Sequence, residues 1–212
     1  MSTSIRLVIL SSHAYVVRAH GLVDFRLPVE YRRTGSITEY FYGIIMVEKQ
    51  IKHVLKKRDR LLASAKTLGI SVLVNEENVP FADVGHVPFI RAEGCFYIYS
   101  SHLSSHIRAL INGSEARFFL IEDEGKSTNI WARVRLKFSG DVLELARNDK
   151  RFSSICSQIG QVHGPVMEII RNFEDFHLFE IHPRHGTLVT GFAQAFSVTG
   201  PAFELTEHLR KS

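Results

Sequence analysis

The spacing of hydrophobic positions changes along the chain, from a helical repeat to short β-type runs. The segment that begins at Met46, MVEKQIKHVLKKRDRLLASAK, places apolar residues about three and four positions apart, which is typical of an amphipathic helix. From residue 68 onward, short runs rich in β-branched and aromatic residues alternate with polar, glycine-containing turns. The pattern therefore predicts one long helix followed by a body made mainly of strands.

This β-rich part predicts about six or seven strands, with short helices between some of them. The predicted strands are LGISVLV, FADVGHVPFI, CFYIYS, EARFFLIE and IWARVRLKFSGDVLELAR, the last with a bend or bulge at Ser139–Gly140. The predicted helices are SSHIRALING, NDKRFSSICSQIG and GPVMEIIRNF. Short connections favour antiparallel pairing, so we expect a closed or nearly closed β-barrel with peripheral helices.

The C-terminal stretch FEDFHLFEIHPRHGTLVTGFAQAF predicts two strands joined by a tight turn at residues 184–186. Its second strand would place Gly191, Ala193 and Ala195 on one face. Such a face leaves room for a flat cofactor, a partner strand or a helix. Asp175, at the start of the first strand, is expected either to stay solvated or to accept an N–H from a histidine.

Residues 1–45 contain five arginines and no lysine, and their hydrophobic pattern has no sustained period. We therefore predict an N-terminal extension of uncertain order over 1–45 and a folded domain over 46–212. The alternative is that the first segment adds a strand or two to the core.

Composition narrows the class of protein. The hydrophobic fraction of 45% and the charged fraction of 23% are those of an ordinary globular chain. No apolar run approaches the roughly 18 residues of a membrane span, and a net charge of +4 is too small to argue for nucleic acid. With two cysteines and no convincing secretory pattern, a reducing, cytoplasmic location is the simplest expectation.

Three cations alternate along WARVRLKF, at Arg133, Arg135 and Lys137. On a strand they would share one face at intervals of roughly 6.5–7 Å and could hold a phosphate or the carboxylates of a cofactor. The alternative is a solvated face paired with acids on a neighbouring strand. His106, at the start of a helix that follows a strand, is a second candidate for an anion site, and His208 lies near the C-terminus.

Two segments together resemble a known family. The stretches YIYSSHLSSHIRALINGSEARFFLIEDEGKSTNIWARVRLKF and FEDFHLFEIHPRHGTLVTGFAQAF are similar to bacterial haem-utilisation proteins of the HugZ/HutZ type. These proteins belong to the pyridoxamine-phosphate-oxidase-like superfamily. The resemblance covers about residues 47–212 and implies a dimeric, FMN-binding-like split barrel, mainly β with peripheral helices.

The resemblance also implies haem binding between two subunits and oxidative haem degradation for iron utilisation, with an unidentified electron donor and haem-delivery protein. His208 corresponds to the axial ligand of the haem iron, and Asp175 to the carboxylate that holds that histidine across the homodimer. Arg135, its neighbour Arg133 and His106 would lie near the haem or its propionates. Relatives that bind FMN use similar basic strands, so a flavin-dependent oxidoreductase stays an alternative, as does a non-catalytic haem carrier.

Overall fold

The computed structural model describes residues 6–10, 13–18, 21–25, 37–76 and 79–209. Strands and helices follow one another in this order: β1 (Arg6–Leu10), β2 (His13–Arg18), β3 (Gly21–Phe25), α1 (Ile37–Ser64), β4 (Thr67–Glu76), β5 (Val79–Ala92), β6 (Cys95–Ser101), α2 (Ser105–Ile111), β7 (Ala116–Ile121), β8 (Arg135–Leu145), α3 (Phe152–His163), α4 (Val166–Ile170), β9 (Phe176–Gly191), β10 (Gln194–Thr199) and β11 (Glu204–Leu209). Two single 3₁₀ turns, Glu124–Lys126 and Ile130–Ala132, lie between β7 and β8.

The strands form a barrel that closes through β9. Neighbouring strands follow the order β9-β6-β5-β4-β7-β8, and β8 pairs with β9 again. Every pairing in this ring is antiparallel. Closure satisfies the hydrogen-bonding groups of the strand edges, and the mainly antiparallel barrel with peripheral helices agrees with the sequence prediction.

β9 is one continuous strand of 16 residues, so the predicted turn at residues 184–186 is wrong. Gly186 marks a close approach of two strands: a Cβ atom there would lie 2.1 Å from the carbonyl oxygen of Lys137 on β8. The chain reverses later, between Gly191 and Gln194, where Ala193 has φ of 52°. Ala193 therefore belongs to a turn, and the predicted strand face of Gly191, Ala193 and Ala195 does not form.

β8 begins later than predicted, at Arg135. The amide oxygen of Asn129 accepts the N–H of Trp131 at 3.0 Å and holds residues 130–132 in a 3₁₀ turn. Arg133 consequently lies outside the strand. The predicted irregularity at Ser139–Gly140 is present, because the register between β8 and β9 shifts between Phe138 and Gly140.

Two hydrophobic clusters stabilise this arrangement. The first fills the barrel interior around fully buried rings, among them Phe96, Phe118, Phe138 and Phe196. The second lies between the barrel and α3 and α4, where α3 buries Phe152, Ile155, Cys156 and Ile159. α1 adds Val47, Ile51, Val54 and Leu61 to the first cluster, as its helical repeat indicated.

α1 begins at Ile37, nine residues before the predicted start at Met46. The sequence places Ser36 three positions before Glu39, the spacing of a helix capping box. Strands β1, β2 and β3 pair in antiparallel order, and β3 joins β11 in parallel at Asp24 and Glu207. The division at residue 45 stays a prediction, and much of 1–45 lies outside the described residues. In the described ranges no helix combines the length and the apolar character needed to cross a bilayer.

Candidate functional site

The outer face of β8, β9, β10 and β11 carries small side chains beside two cations. Residues directly opposite on paired strands share a face. One such row contains Arg135, Val189, Ala195 and Leu209, and the next contains Lys137, Thr187, Ser197 and Glu207. Of the two predicted rows, Arg135 and Lys137 share this face with Ala195, whereas Arg133, Gly191 and Ala193 do not belong to it.

Arg133 does not share this face. Its guanidinium donates to the carbonyl oxygen of Glu122 at 2.8 Å and to the carboxylate of Glu124 at 2.9 Å. Arg133 is therefore a largely buried cation paired with an acid of the 124–126 turn, whereas the alternative interpretation had expected a solvated cation paired with acids on a neighbouring strand. Arg135 is half-buried at the start of β8, and its guanidinium donates to the Arg133 carbonyl at 3.3 Å.

His208 belongs to β11 and lies against its own barrel. Its ring stacks on Phe196 with centroids 4.6 Å apart and an interplanar angle of 18°. Its Nε2 atom lies 3.1 Å from the carbonyl oxygen of Ala193. His208 is thus half-buried in a strand, opposite Phe196 in the register.

Asp175 lies at the opposite end of β9 from His208. The row of His208 crosses β9 at Leu188, twelve positions after Phe176, which is roughly 40 Å of strand. Asp175 instead contacts the turn after β6. Its Oδ2 accepts the Ser101 hydroxyl at 2.5 Å, and its carbonyl oxygen accepts the N–H of His102 at 2.8 Å.

Two histidines beside Asp175 form a hydrogen-bonded chain that the sequence did not reveal. His177 Nδ1 lies 2.7 Å from Oε1 of Glu144, and His177 Nε2 lies 3.0 Å from Nδ1 of His102. An ionised carboxylate only accepts hydrogen bonds, so Nδ1 of His177 donates to Glu144, and with both rings neutral Nε2 of His177 accepts. His102 then donates from Nδ1, which leaves its Nε2 with the lone pair.

His106 is held at the start of α2 by Asp83 on β5. Its Nδ1 lies 3.3 Å from Oδ2 of Asp83, and the Ser105 hydroxyl donates to the same oxygen at 2.5 Å. The hydrogen bond from Ser105, with a smaller contribution from His106, lowers the pKa of Asp83 despite its partial burial. The Cε1 and Nε2 atoms of His106 press against the backbone of Gly85, where an added Cβ would lie 2.3 Å from both.

A third polar cluster surrounds the buried carboxylate of Glu180. Tyr97 donates to it at 2.9 Å and Arg151 at 2.7 Å, while Cys95 Sγ lies 3.3 Å from Nδ1 of His182. Burial raises the pKa of the Cys95 thiol, and burial together with the Glu180 contact raises that of Tyr97 to about 12. Cys95, Glu180 and His182 have the proximity of metal ligands. The neutralising guanidinium of Arg151 favours a structural ion pair instead.

A cavity of about 260 Å³ lies between α1, the 122–134 segment and the end of β9. Its lining includes the cations Lys57, Arg60 and Lys126 together with Glu122 and Asp123. Lys57 donates to the carbonyl oxygen of Thr190 at 2.7 Å. Since these charges nearly cancel, the cavity has no strong preference for an anion.

The chain was compared with protein-family models, with curated proteins and with solved structures. No protein-family model matches. A curated relative, the haem oxygenase HutZ of Vibrio cholerae, is 28% identical over 154 residues, which cover 73% of this chain and 82% of that protein.

Solved structures show the same fold. The structure described as HutZ, the haem storage protein from Vibrio cholerae, has a TM-score of 0.56 and 24% identity, covering 64% of this chain and 93% of its own. That of ChuZ from Campylobacter jejuni has a TM-score of 0.62 and 20% identity, covering 100% of this chain and 89% of its own. The split barrel predicted from the sequence is thereby confirmed.

Proposed function

Because these findings confirm the chain's resemblance to HugZ/HutZ-type proteins of the pyridoxamine-phosphate-oxidase-like split-barrel superfamily, we propose that it binds haem and degrades it oxidatively. The observation that carries the proposal is the cluster around Asp175. It combines an oriented imidazole, a cation and exposed apolar surface, which are the three features that a haem site needs. The curated relative named as a haem oxygenase supports the same function.

The residues present fit a haem group. The Asp175 cluster contains His102, whose Nε2 carries a lone pair by the hydrogen-bond argument above. Arg108 donates to the carbonyl oxygens of His102 and Leu103 at 2.9 and 2.8 Å, and this exposed guanidinium has further N–H groups for a propionate. The side chain of Leu103 is 77% exposed, so apolar surface lies next to these polar groups.

We propose a homodimer in which His208 of one subunit meets Asp175 of the other. Within one chain Asp175 directly precedes β9, whereas His208 lies on β11, in the row that crosses the far part of β9 at Leu188. Only Oδ2 of Asp175 has a side-chain partner among the described residues, so Oδ1 can accept an N–H from an iron-bound histidine. The small-residue face with Ala195 and Ser197 provides a surface on which a second barrel can pack.

Haem, once bound, supplies the chemistry with O₂ and electrons from a donor. The protein's share is then to bind and orient its substrate. Asp175 of one subunit holds the imidazole and makes it a stronger donor. Arg108 of that subunit pairs with a propionate, and Arg135, in the row next to that of His208, reaches the haem from the other subunit. His106, fixed by Asp83, lies in α2, which follows β6 and the turn that carries His102. We place the reaction in the bacterial cytoplasm, where a delivery protein hands over haem.

Two alternatives remain testable. The cations Arg135 and Lys137 on one face also suit the phosphate of FMN, which would make the protein a flavin-dependent oxidoreductase. A haem carrier would use the same site without turnover, and the solved HutZ structure is described as that of a storage protein.

Haemin titration of the full chain, followed by ascorbate under air, separates these functions. We expect a Soret band that saturates and then decays with formation of a bilin-like product. A Soret band that persists after reductant would identify a carrier. Failure to bind haemin, combined with a flavin absorption band in the purified protein, would favour the oxidoreductase.

A further inference from the structure

We propose that His102 is an axial ligand of the haem iron. The proposal rests on the proposed haem-binding function and adds a ligand that the resemblance does not assign. When His208 of the other subunit also binds the iron, His102 has to leave it before O₂ can bind. Glu144 and His177 form a hydrogen-bonded chain that fixes the ring of His102 and leaves its Nε2 atom for the iron.

The first argument is the tautomer of His102. A metal-bound imidazole commonly donates its second ring N–H to a fixed acceptor, which orients the ring and strengthens it as a donor. Here Glu144 fixes His177, and His177 Nε2 accepts from His102 Nδ1 at 3.0 Å. Within the part of the chain that the structure describes, no protein group lies in hydrogen-bond distance of His102 Nε2. The Nε2 atom of this half-buried ring is therefore available to a ligand.

The second argument is the backbone that carries His102. Asp175 accepts the N–H of His102 through its carbonyl and the hydroxyl of Ser101 through its carboxylate. The same Ser101 oxygen accepts the N–H of Leu103 at 3.0 Å, and Arg108 donates to the carbonyls of both turn residues. A turn held at this many points fixes the ligand before haem arrives, so ligation costs little conformational entropy.

Three other histidines use the atom that iron would need. The Nε2 edge of His106 presses against Gly85, and Nε2 of His208 lies 3.1 Å from the carbonyl of Ala193. His163 places Nε2 2.8 Å from the carbonyl of Phe89. Each of these rings would have to move before binding iron through Nε2, whereas His102 would not.

The test uses the full chain with His102→Gly and, in parallel, His208→Gly. Haemin titrations give affinity, and optical and electron paramagnetic resonance spectra report the iron ligands. We expect His102→Gly to weaken haemin binding at least about 10-fold and to lose the signature of an imidazole ligand, with added imidazole restoring the spectrum. Glu144→Gln should keep haem bound but shift the iron reduction potential to more positive values, because a weaker donor stabilises ferric iron less. Glu174→Gln, an exposed neighbour of Asp175, is the matched control and should leave the potential unchanged.

The outcomes separate this inference from the proposed function. Loss of imidazole ligation in His102→Gly supports it, whether or not His208→Gly also loses a ligand. A wild-type spectrum and affinity in a folded His102→Gly protein would overturn it, while haem binding itself would stand. If the unchanged chain binds no haemin, the proposed function fails and this inference fails with it.

Discussion

The hydroxyl oxygen of Ser101 lies 2.5 Å from a carboxylate oxygen of Asp175, and this contact ties the end of β6 to the residue that precedes β9. Asp175 therefore has a structural partner in its own chain. An asparagine can still accept this hydrogen bond but carries no negative charge. The substitution Asp175→Asn separates the electrostatic role of the residue from its structural one.

We expect Asp175→Asn to bind haem with a changed Soret position and to degrade it about 10- to 100-fold more slowly, with little change in melting temperature. Soret maximum, haem decay rate and thermal melting of the purified variant measure this. Ser101→Ala is the control, because it removes the hydrogen bond and keeps the charge. An unchanged spectrum and decay rate in Asp175→Asn would show that Asp175 only stabilises the turn and does not act on haem. Unfolding would direct the search to His106 and His177, and to His86 on β5, whose ring lies 5.1 Å from that of Phe119.

The sequence predicted the barrel because alternating strands and short connections are local properties. It misjudged β9 because glycine has two common uses that a sequence does not distinguish. Arg184, His185 and Gly186 have the composition of a turn, yet Gly186 serves a close approach to β8. That distinction depends on which strand lies beside it, and partner strands are not a local property.

Gly186→Ala tests this interpretation of β9. A Cβ atom would lie 2.1 Å from the carbonyl oxygen of Lys137, so two paired strands would have to separate. We expect a loss of at least about 2 kcal/mol in the free energy of unfolding, measured by urea denaturation. Gly113→Ala is the matched control: its φ is 75° and nothing lies within 4 Å of the added atom, so it should lose only about 1 kcal/mol. Equal losses in the two variants would contradict the close-approach argument.

In the candidate site, too, the sequence indicated some residues and missed others. Asp175 and His106 were found as single residues because each stands at the end of a predicted element. The chain of Glu144, His177 and His102 was not, because its members come from β8, β9 and the turn after β6. Its assembly depends on strand register, which places Ser100 opposite His177 and Glu144 opposite Phe179.

Glu180 gives a prediction on pH. Burial alone would raise its pKa, but hydrogen bonds from Tyr97 and Arg151 outweigh burial and leave the pKa below its ordinary 4.5. A carboxyl group with a lowered pKa stabilises the fold above its unfolded-state pKa, and this stability disappears as the pH falls through the folded-state value. We expect Glu180→Gln to lose about 1–3 kcal/mol at pH near 7, with the difference from wild type shrinking below pH 4.5.

Urea denaturation at several pH values measures this difference. Glu115→Gln, an exposed residue, should match the wild type throughout. A deficit of Glu180→Gln that stays constant into acid would show that the carboxylate charge contributes nothing.

A chain shortened to residues 46–212 should fold and bind haem. The removed part of α1 lies before Val47, Ile51, Val54 and Leu61, which are the buried residues that connect the helix to the barrel core. Haemin affinity within about threefold of the full chain, with a retained cooperative melt, is the expected result. Loss of folding would show that β3 stabilises β11 through its pairing at Asp24 and Glu207. The extension would then be part of the domain.

The proposed dimer depends on the outer face of β8 to β11, so a large charge there should break it. Ala195 is half-buried on this face, in the same row as Arg135, and an arginine in its place would put cations on β8 and β10, on either side of β9, in a contact surface. We expect light scattering to give twice the chain mass for the wild type and the single mass for Ala195→Arg. The barrel core is on the other face, so melting of the monomer should stay cooperative. Gln161→Arg, on the exposed side of α3, should remain dimeric. A wild-type protein that is monomeric at micromolar concentration with and without haemin would refute the dimer and, with it, any meeting of His208 with Asp175.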